Sequence, residues 1–227
     1  MSEVNLIGIT KPSAYTGCWT ANDLVAYAAR VSNPANQNNN ETAPNLLKYL
    51  VTHKHWSPFE MVHIVMEIKT TRDISRQILR HRSFSFQEFS QRYAVADDFI
   101  HDREARKQDS KNRQNSLEND DPQLQEAFNM KQASVVEKAK EVYTWALEQG
   151  IAKEQARAVL PEGLTGTTLY MAGNLRSWIH YCELRMKNGT QKEHMDIAEK
   201  CWNIIASHFP SVDEAMWKER HERENRA

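Results

Sequence analysis

The sequence predicts an α/β protein of the α+β type, with a central, mostly antiparallel twisted sheet packed by helices in a single domain spanning residues 1–227. Three observations carry this. Val62, Ile64, Met66 and Ile68 alternate with His63, Val65, Glu67 and Lys69, the period of a half-buried strand, and Thr165–Met171 is rich in threonine, with Leu169 and Tyr170. The stretches around these strands repeat apolar residues at helical spacing, so each has one face to bury. At 227 residues the chain can build one ample core, and no flanking piece looks self-sufficient.

Leu6, Ile7 and Ile9 before Lys11-Pro12 predict a short first strand, ended by a residue that cannot donate to a sheet ladder. Thr20 caps a helix to Val31 carrying Leu24, Val25 and Ala28, and Ser32-Asn33-Pro34 stops it. Asn36–Glu41 is a loop, and Pro44 opens a helix with Leu46, Leu47, Leu50 and Val51. After the alternating strand, a helix runs from Arg72 to Arg80 with Ile74, Ile78 and Leu79 inward and Arg72, Arg76 and Arg80 on one stripe. His101–Asp121 is charged and amide-rich with a lone Leu117, and reads as a mobile polar loop. Pro122 starts a long helix to Glu148, closed by Gly150, and a shorter one reaches Val159 before Leu160-Pro161. Asn174 caps a helix from Leu175 to Lys187, ended at Asn188-Gly189; helices over Lys192–His208 and Ser211–Glu224 flank Pro210.

The formal net charge is −1, so no global field draws the chain to nucleic acid or an anionic membrane, and any bound anion needs a local cluster. Cys18, Cys182 and Cys201 have unrelated spacings and form no Cys-x-x-Cys pair, which fits a reduced cytoplasmic setting. No secretory signal and no run of about 20 apolar residues is present. His53, His55 and His63 lack a carboxylate or cysteine at a spacing that would complete a metal site, so no metal is expected.

The candidate site is Arg80–Tyr93. Five arginines and no lysine fall between Arg72 and Tyr93. A guanidinium presents a planar fork of donors that holds an oxyanion at a fixed angle, which a lysine does not. Serines, glutamines and Glu88 add donors and acceptors for a base or sugar edge, and Phe84, Phe86, Phe89 and Tyr93 offer stacking faces. Composition alone leaves a nucleotide site and a solvated basic helix end about even.

The spacing adds more. Arg80, His81, Arg82, Ser85, Ser90 and Arg92 occupy the Arg-His-Arg-x-x-Ser-x-x-x-x-Ser-x-Arg pattern in full, and this resembles the signature of the flavin-dependent thymidylate synthases. His55-Trp56-Ser57-Pro58-Phe59-Glu60, Arg157 before Leu160-Pro161, and Asn174-Leu175-Arg176-Ser177 through Leu184-Arg185 resemble the same family in the same order. The resemblance implies reductive methylation of deoxyuridine monophosphate (dUMP) to thymidylate, with FAD as cofactor, NADPH as reductant, methylenetetrahydrofolate as carbon donor, and a homotetramer with shared active sites. It implies that Gln77, Ile78, Leu79, Arg80, Glu88, Phe89, Ser90, Gln91, Arg92 and Arg157 hold dUMP. His55, Ser57, Arg80, His81, Arg82, Glu88, Asn174, Leu175, Arg176 and His180 would hold FAD, and Arg185 would bind dUMP and act catalytically, helping to ionise the uracil ring. Gln87 and His180 stand where many or some members carry asparagine, and both keep a hydrogen-bonding side chain.

Such chemistry needs no protein nucleophile, because a cation stabilises the charge that develops on the pyrimidine. Cys182, three residues from Arg185, therefore reads as a small core residue. Asn174, Tyr181 and Arg185 share one helical stripe and Arg176 and His180 another, so one helix could serve two ligands, or a ligand and a neighbouring subunit. Two rival functions are a single-stranded nucleic-acid-binding protein, using the arginines and aromatics, and a metal-dependent nucleotide phosphohydrolase, prompted by His101-Asp102.

Overall fold

The computed structural model describes residues 2–187 and 189–217. In chain order the elements are β1 (Glu3–Ile9), α1 (Ala21–Ala29), α2 (Ala43–Thr52), β2 (His63–Thr71), α3 (Arg72–Ile78), β3 (Ser85–Glu88), β4 (Lys107–Gln108), β5 (Ser116–Leu117), α4 (Pro122–Glu148), α5 (Lys153–Ala156), β6 (Gly166–Asn174), α6 (Leu175–Arg185), α7 (Lys192–His208) and α8 (Pro210–Met216). Four strands form one antiparallel sheet in the order β1-β2-β6-β3. The expected antiparallel sheet packed by helices is thus the architecture of the chain.

The period of two decides which side of the sheet is covered. Ile64, Met66 and Ile68 lie opposite Gly173, Met171 and Leu169, and all of them are buried. Under that face sit Val25, Leu47, Phe59, Trp178, Ile197 and Phe209, from α1, α2, α6, α7 and the turns beside them. The other face pairs Glu67 with Tyr170 and Lys69 with Thr168, and there the Tyr170 hydroxyl donates to Glu67 at 3.0 Å. A smaller cluster of Ala96, Tyr143, Ala146 and Ala156 joins α4 to α5 and to the segment after β3.

The expected caps form. Thr20 and Asp23 make reciprocal side-chain to backbone bonds at the start of α1, Asp121 accepts from Gln123 N and Leu124 N ahead of α4, and Asn174 Oδ1 accepts from Ser177 N at 2.8 Å. Gly150 takes φ +77° after α4, a conformation that side chains resist.

Several expectations are corrected. The helix from Arg72 stops at Ile78, and its arginines do not act as one stripe: Arg72 turns inward to Glu88, Arg76 pairs with Glu162 on the surface, and Arg80 lies beyond the helix end. Successive fourth residues drift around a helix, and separate carboxylates capture them one by one. Leu79 is only partly buried. Ser85–Glu88, not assigned to a strand in the sequence, is β3, because its partner is the distant β6. The segment 101–121, read as a mobile polar loop, carries the small β4–β5 hairpin, and Arg103 and Arg106 tie it to Asp73 and Glu193. The last expected helix is present as α8; its residues from 218 onward, and Asn188 of the stop after α6, lie outside the described residues.

Candidate active site

Two strands feed directly into helices, and this builds the site. β2 passes into α3 at Thr71–Arg72 and β6 into α6 at Asn174–Leu175, and the antiparallel register puts these junctions at opposite ends of the strand pair. The turn after α3 then meets the end of α6. Arg185 Nε donates to His81 Nε2 at 2.9 Å, so His81 is neutral and carries its proton on Nδ1. Burial and the adjacent Arg185 charge hold His81 down at about 4. The His81 ring stands edge-on to Tyr181 at 4.8 Å, which fixes its plane. Arg185 is therefore anchored through one nitrogen, while its two terminal nitrogens donate to no described residue.

Gln77 sits beside this pair. Its Oε1 lies 3.2 Å from His194 Nδ1, and its Nε2 donates to Gln191 Oε1 at 2.7 Å. Ile78 is fully buried, and its carbonyl accepts from His81 N.

Glu88 forms a second centre at the sheet edge. β3 places Glu88 opposite Leu169 on the covered face, where Oε1 accepts from Ser75 Oγ at 2.8 Å and Thr167 Oγ1 at 3.0 Å. Arg72 Nη1 is 3.6 Å away, an ion pair too long for a hydrogen bond, and this buried nitrogen has no acceptor among the described residues. Gln91 Nε2, further along, is also buried without an acceptor among the described residues. A buried donor without an acceptor is costly, and the one on Arg72 lies beside the Glu88 carboxylate.

Ser90 and Arg92 face α5. Arg92 Nη2 pairs with Glu154 Oε2 at 3.3 Å across an open cleft of about 510 Å³. Arg157 follows on the turn after α5, partly buried, its guanidinium making no hydrogen bond or ion pair to a described residue, so residues far apart in sequence share this region. Phe89 is exposed.

The residues expected at FAD divide: Ser57, Asn174, Leu175, Arg176 and His180 lie at or beside the other end of α6, whereas His81 sits at the Arg185 end and Glu88 on β3. Arg176 pairs with Glu60, and His180 lies edge-on to Trp56 at 4.9 Å, so both face the turn Ser57–Met61, as their shared stripe implies. Burial and the Arg176 charge lower the His180 pKa. Ser57, His55, Arg80 and Arg82 are exposed, and neither Arg80 nor Arg82 has a described partner. Asn174 spends its side chain on the helix cap, and Leu175 is buried, with its backbone N–H donating to Val62 O. Nine residues separate Arg176 from Arg185, about 14 Å along a helix at 1.5 Å per residue.

Sequence reasoning placed Arg72 on a stripe but not in the site, and missed His194 and Gln191. Arg72 had a signal in its conjunction with Glu88. The other two had none, since α7 reaches Gln77 only through the fold.

Comparison with known proteins now has a site to refer to. The chain is 53% identical over 211 residues to a probable flavin-dependent thymidylate synthase of Paramecium bursaria Chlorella virus 1, covering 93% of this chain and 97% of that one. It is 49% identical over 216 residues to the flavin-dependent thymidylate synthase of Synechocystis, covering 94% and 99%. The chain belongs to the flavin-dependent thymidylate synthase family. A family model described as thymidylate synthase complementing protein matches residues 15–211, which takes in every candidate site residue. The fold is similar to that of a UMP/dUMP methylase from Streptomyces cacaoi solved with 5-bromo-dUMP, with a TM-score of 0.80, 27% identity, and 95% and 94% of the two chains covered. Cys182, three residues before Arg185, is fully buried, and burial pushes its thiol well above the usual range.

Proposed function

We propose that this protein methylates dUMP to thymidylate reductively, with FAD as cofactor, NADPH as reductant and methylenetetrahydrofolate as carbon donor, in the cytoplasm. The observation that carries the reading is Arg185: a guanidinium fixed by His81 at one nitrogen and open at the other two is preorganised for negative charge on a pyrimidine. Such a cation favours the ring ionised at N3 and so makes C5 electron-rich. Arg80, Arg92 and Arg157, together with the orphaned Arg72 and Gln91 donors, supply the donors that a nucleotide phosphate and base require. Glu88, held by Ser75 and Thr167 through one oxygen, keeps the other for a ligand donor.

The residues present suit FAD. His55, Ser57, Arg82 and the start of α6 at Asn174–Arg176 would hold it, since an exposed arginine such as Arg82 and a capped helix N-terminus are suited to a pyrophosphate. When bound, FAD carries the reducing equivalents that turn the added carbon into a methyl group. The roughly 14 Å between the two ends of α6 supports an assembly in which a site is completed by a second copy of the chain, a homotetramer with shared active sites. Leu124, Phe128, Val135 and Trp145, left exposed along α4, offer apolar surface for such contacts.

A visible absorption spectrum of the purified protein tests the reading. The expected result is a flavin spectrum that bleaches under NADPH at a rate altered by dUMP. No flavin after incubation with FAD would sink it.

A further inference from the structure

A partly buried line of polar contacts leads away from Gln77, and each link fixes the next. Glu193 accepts two hydrogen bonds from Arg106 at 2.7 and 2.8 Å, and it also accepts from Gln191 Nε2 at 3.0 Å. Burial by itself would raise the Glu193 carboxyl, but Arg106 and Gln191 bring it down to about 2, so it is an acceptor only. Gln191 must then turn its oxygen to Gln77, and Gln77 must donate with Nε2. That leaves Gln77 Oε1 facing His194 Nδ1, which must carry a proton, and leaves His194 Nε2 as an acceptor 3.1 Å from the Tyr181 hydroxyl. Reversing any link would set two acceptors face to face. His194 is fully buried, and that burial with the nearby Arg185 and His81 keeps it neutral, with a pKa of about 3.

We propose that His194 is a positioning residue of the nucleotide site: locked in its Nδ1–H form, it pins the Gln77 oxygen so that the second N–H of the amide is presented to the nucleotide in one orientation. The inference rests on the reading of Gln77 as a dUMP residue. His194 touches no ligand itself and acts through Gln77. The same Tyr181 whose hydroxyl completes His194 supports the His81 ring that anchors Arg185, so one buried unit steadies both side chains.

Two measurements on the FAD-loaded protein test this. A nitrogen-15 spectrum of the labelled imidazoles reads the His194 tautomer directly, and equilibrium binding of dUMP reads the site. The expected results are a wild-type His194 protonated on Nδ1, and His194→Leu that retains flavin but binds dUMP about tenfold more weakly, the loss of one buried hydrogen bond. His194→Asn, whose amide can donate from the Nδ1 position, should recover most of that affinity. A proton on Nε2, or dUMP affinity in His194→Leu equal to wild type, would overturn the proposal, as would His194→Asn binding no better than His194→Leu. Wild-type protein that holds flavin but binds no dUMP would overturn the nucleotide reading of Gln77, and the tautomer would still decide the direction of the chain.

Discussion

Gly173→Ala is expected to loosen the segment that carries Arg80, His81 and Arg82 without touching any of them. A β-carbon at Gly173 would sit 2.4 Å from Phe84 Cδ1 and 2.7 Å from Cε1. Carbon atoms rest at about 3.5–4.0 Å, so the ring must move by about 1 Å. It has little room, being edge-on to Trp178 at 4.9 Å and to Tyr181 at 5.9 Å. Overpacking of this kind costs about 1–3 kcal/mol, against which alanine recovers about 0.5–1 kcal/mol of backbone entropy in a strand. The net loss is about 1–2 kcal/mol, or about 3–6 °C in melting temperature for a chain of this size. Calorimetry of Gly173→Ala, Phe84→Leu and the double variant measures it, with the two changes expected to couple by about 1 kcal/mol. A melting temperature unchanged in Gly173→Ala, or strict additivity in the double variant, would refute the steric argument.

Acid sensitivity should begin above the carboxylate range. His81 and His194 have folded-state values of about 4 and about 3 against 6.5 for a free imidazole, so the unfolded chain takes up protons first. Stability is full above pH 6.5 and falls on acidification, by on the order of 3–5 kcal/mol between pH 6.5 and 4 once the partial exposure of His81 is discounted. Glu193, lowered to about 2, adds a further loss below about 4.5. Urea midpoints that stay flat between pH 6.5 and 5 would contradict this. Arg185→Ala should keep its flavin and lose methylation by about a hundredfold or more, and wild-type turnover would remove the role assigned to it. Cys182→Ala should stay active and lose only about 1 kcal/mol of stability in denaturant titrations; total inactivity in a folded, flavin-bound variant would revive a thiol mechanism.

Much of the fold was legible because it is written in local periodicity. The alternation from Val62 to Lys69 gives both β2 and its buried face, and Thr20, Asn174 and Pro122 announce helix starts by their own chemistry. β3 was not legible: four residues are too few to show a period, and their strand character comes from β6, far along the chain. The arginine stripe misled for the same reason, since the carboxylates that divide Arg72 from Arg76 lie at Glu88 and Glu162.

The site divides along the same line. The sequence by itself determined which residues are candidates to carry the chemistry, from Arg80 through Arg92 to Arg157, Asn174, Arg176 and Arg185, because donor type and spacing are properties of the chain. Only the tertiary structure decided how they are held. It set His81 against Arg185, left Arg72 Nη1 and Gln91 Nε2 without acceptors among the described residues, and brought His194 of α7 to Gln77 of α3. Hydrogen-bond direction, burial and the tautomer of a neutral histidine depend on what lies within about 3 Å in space, and no spacing along the sequence encodes that.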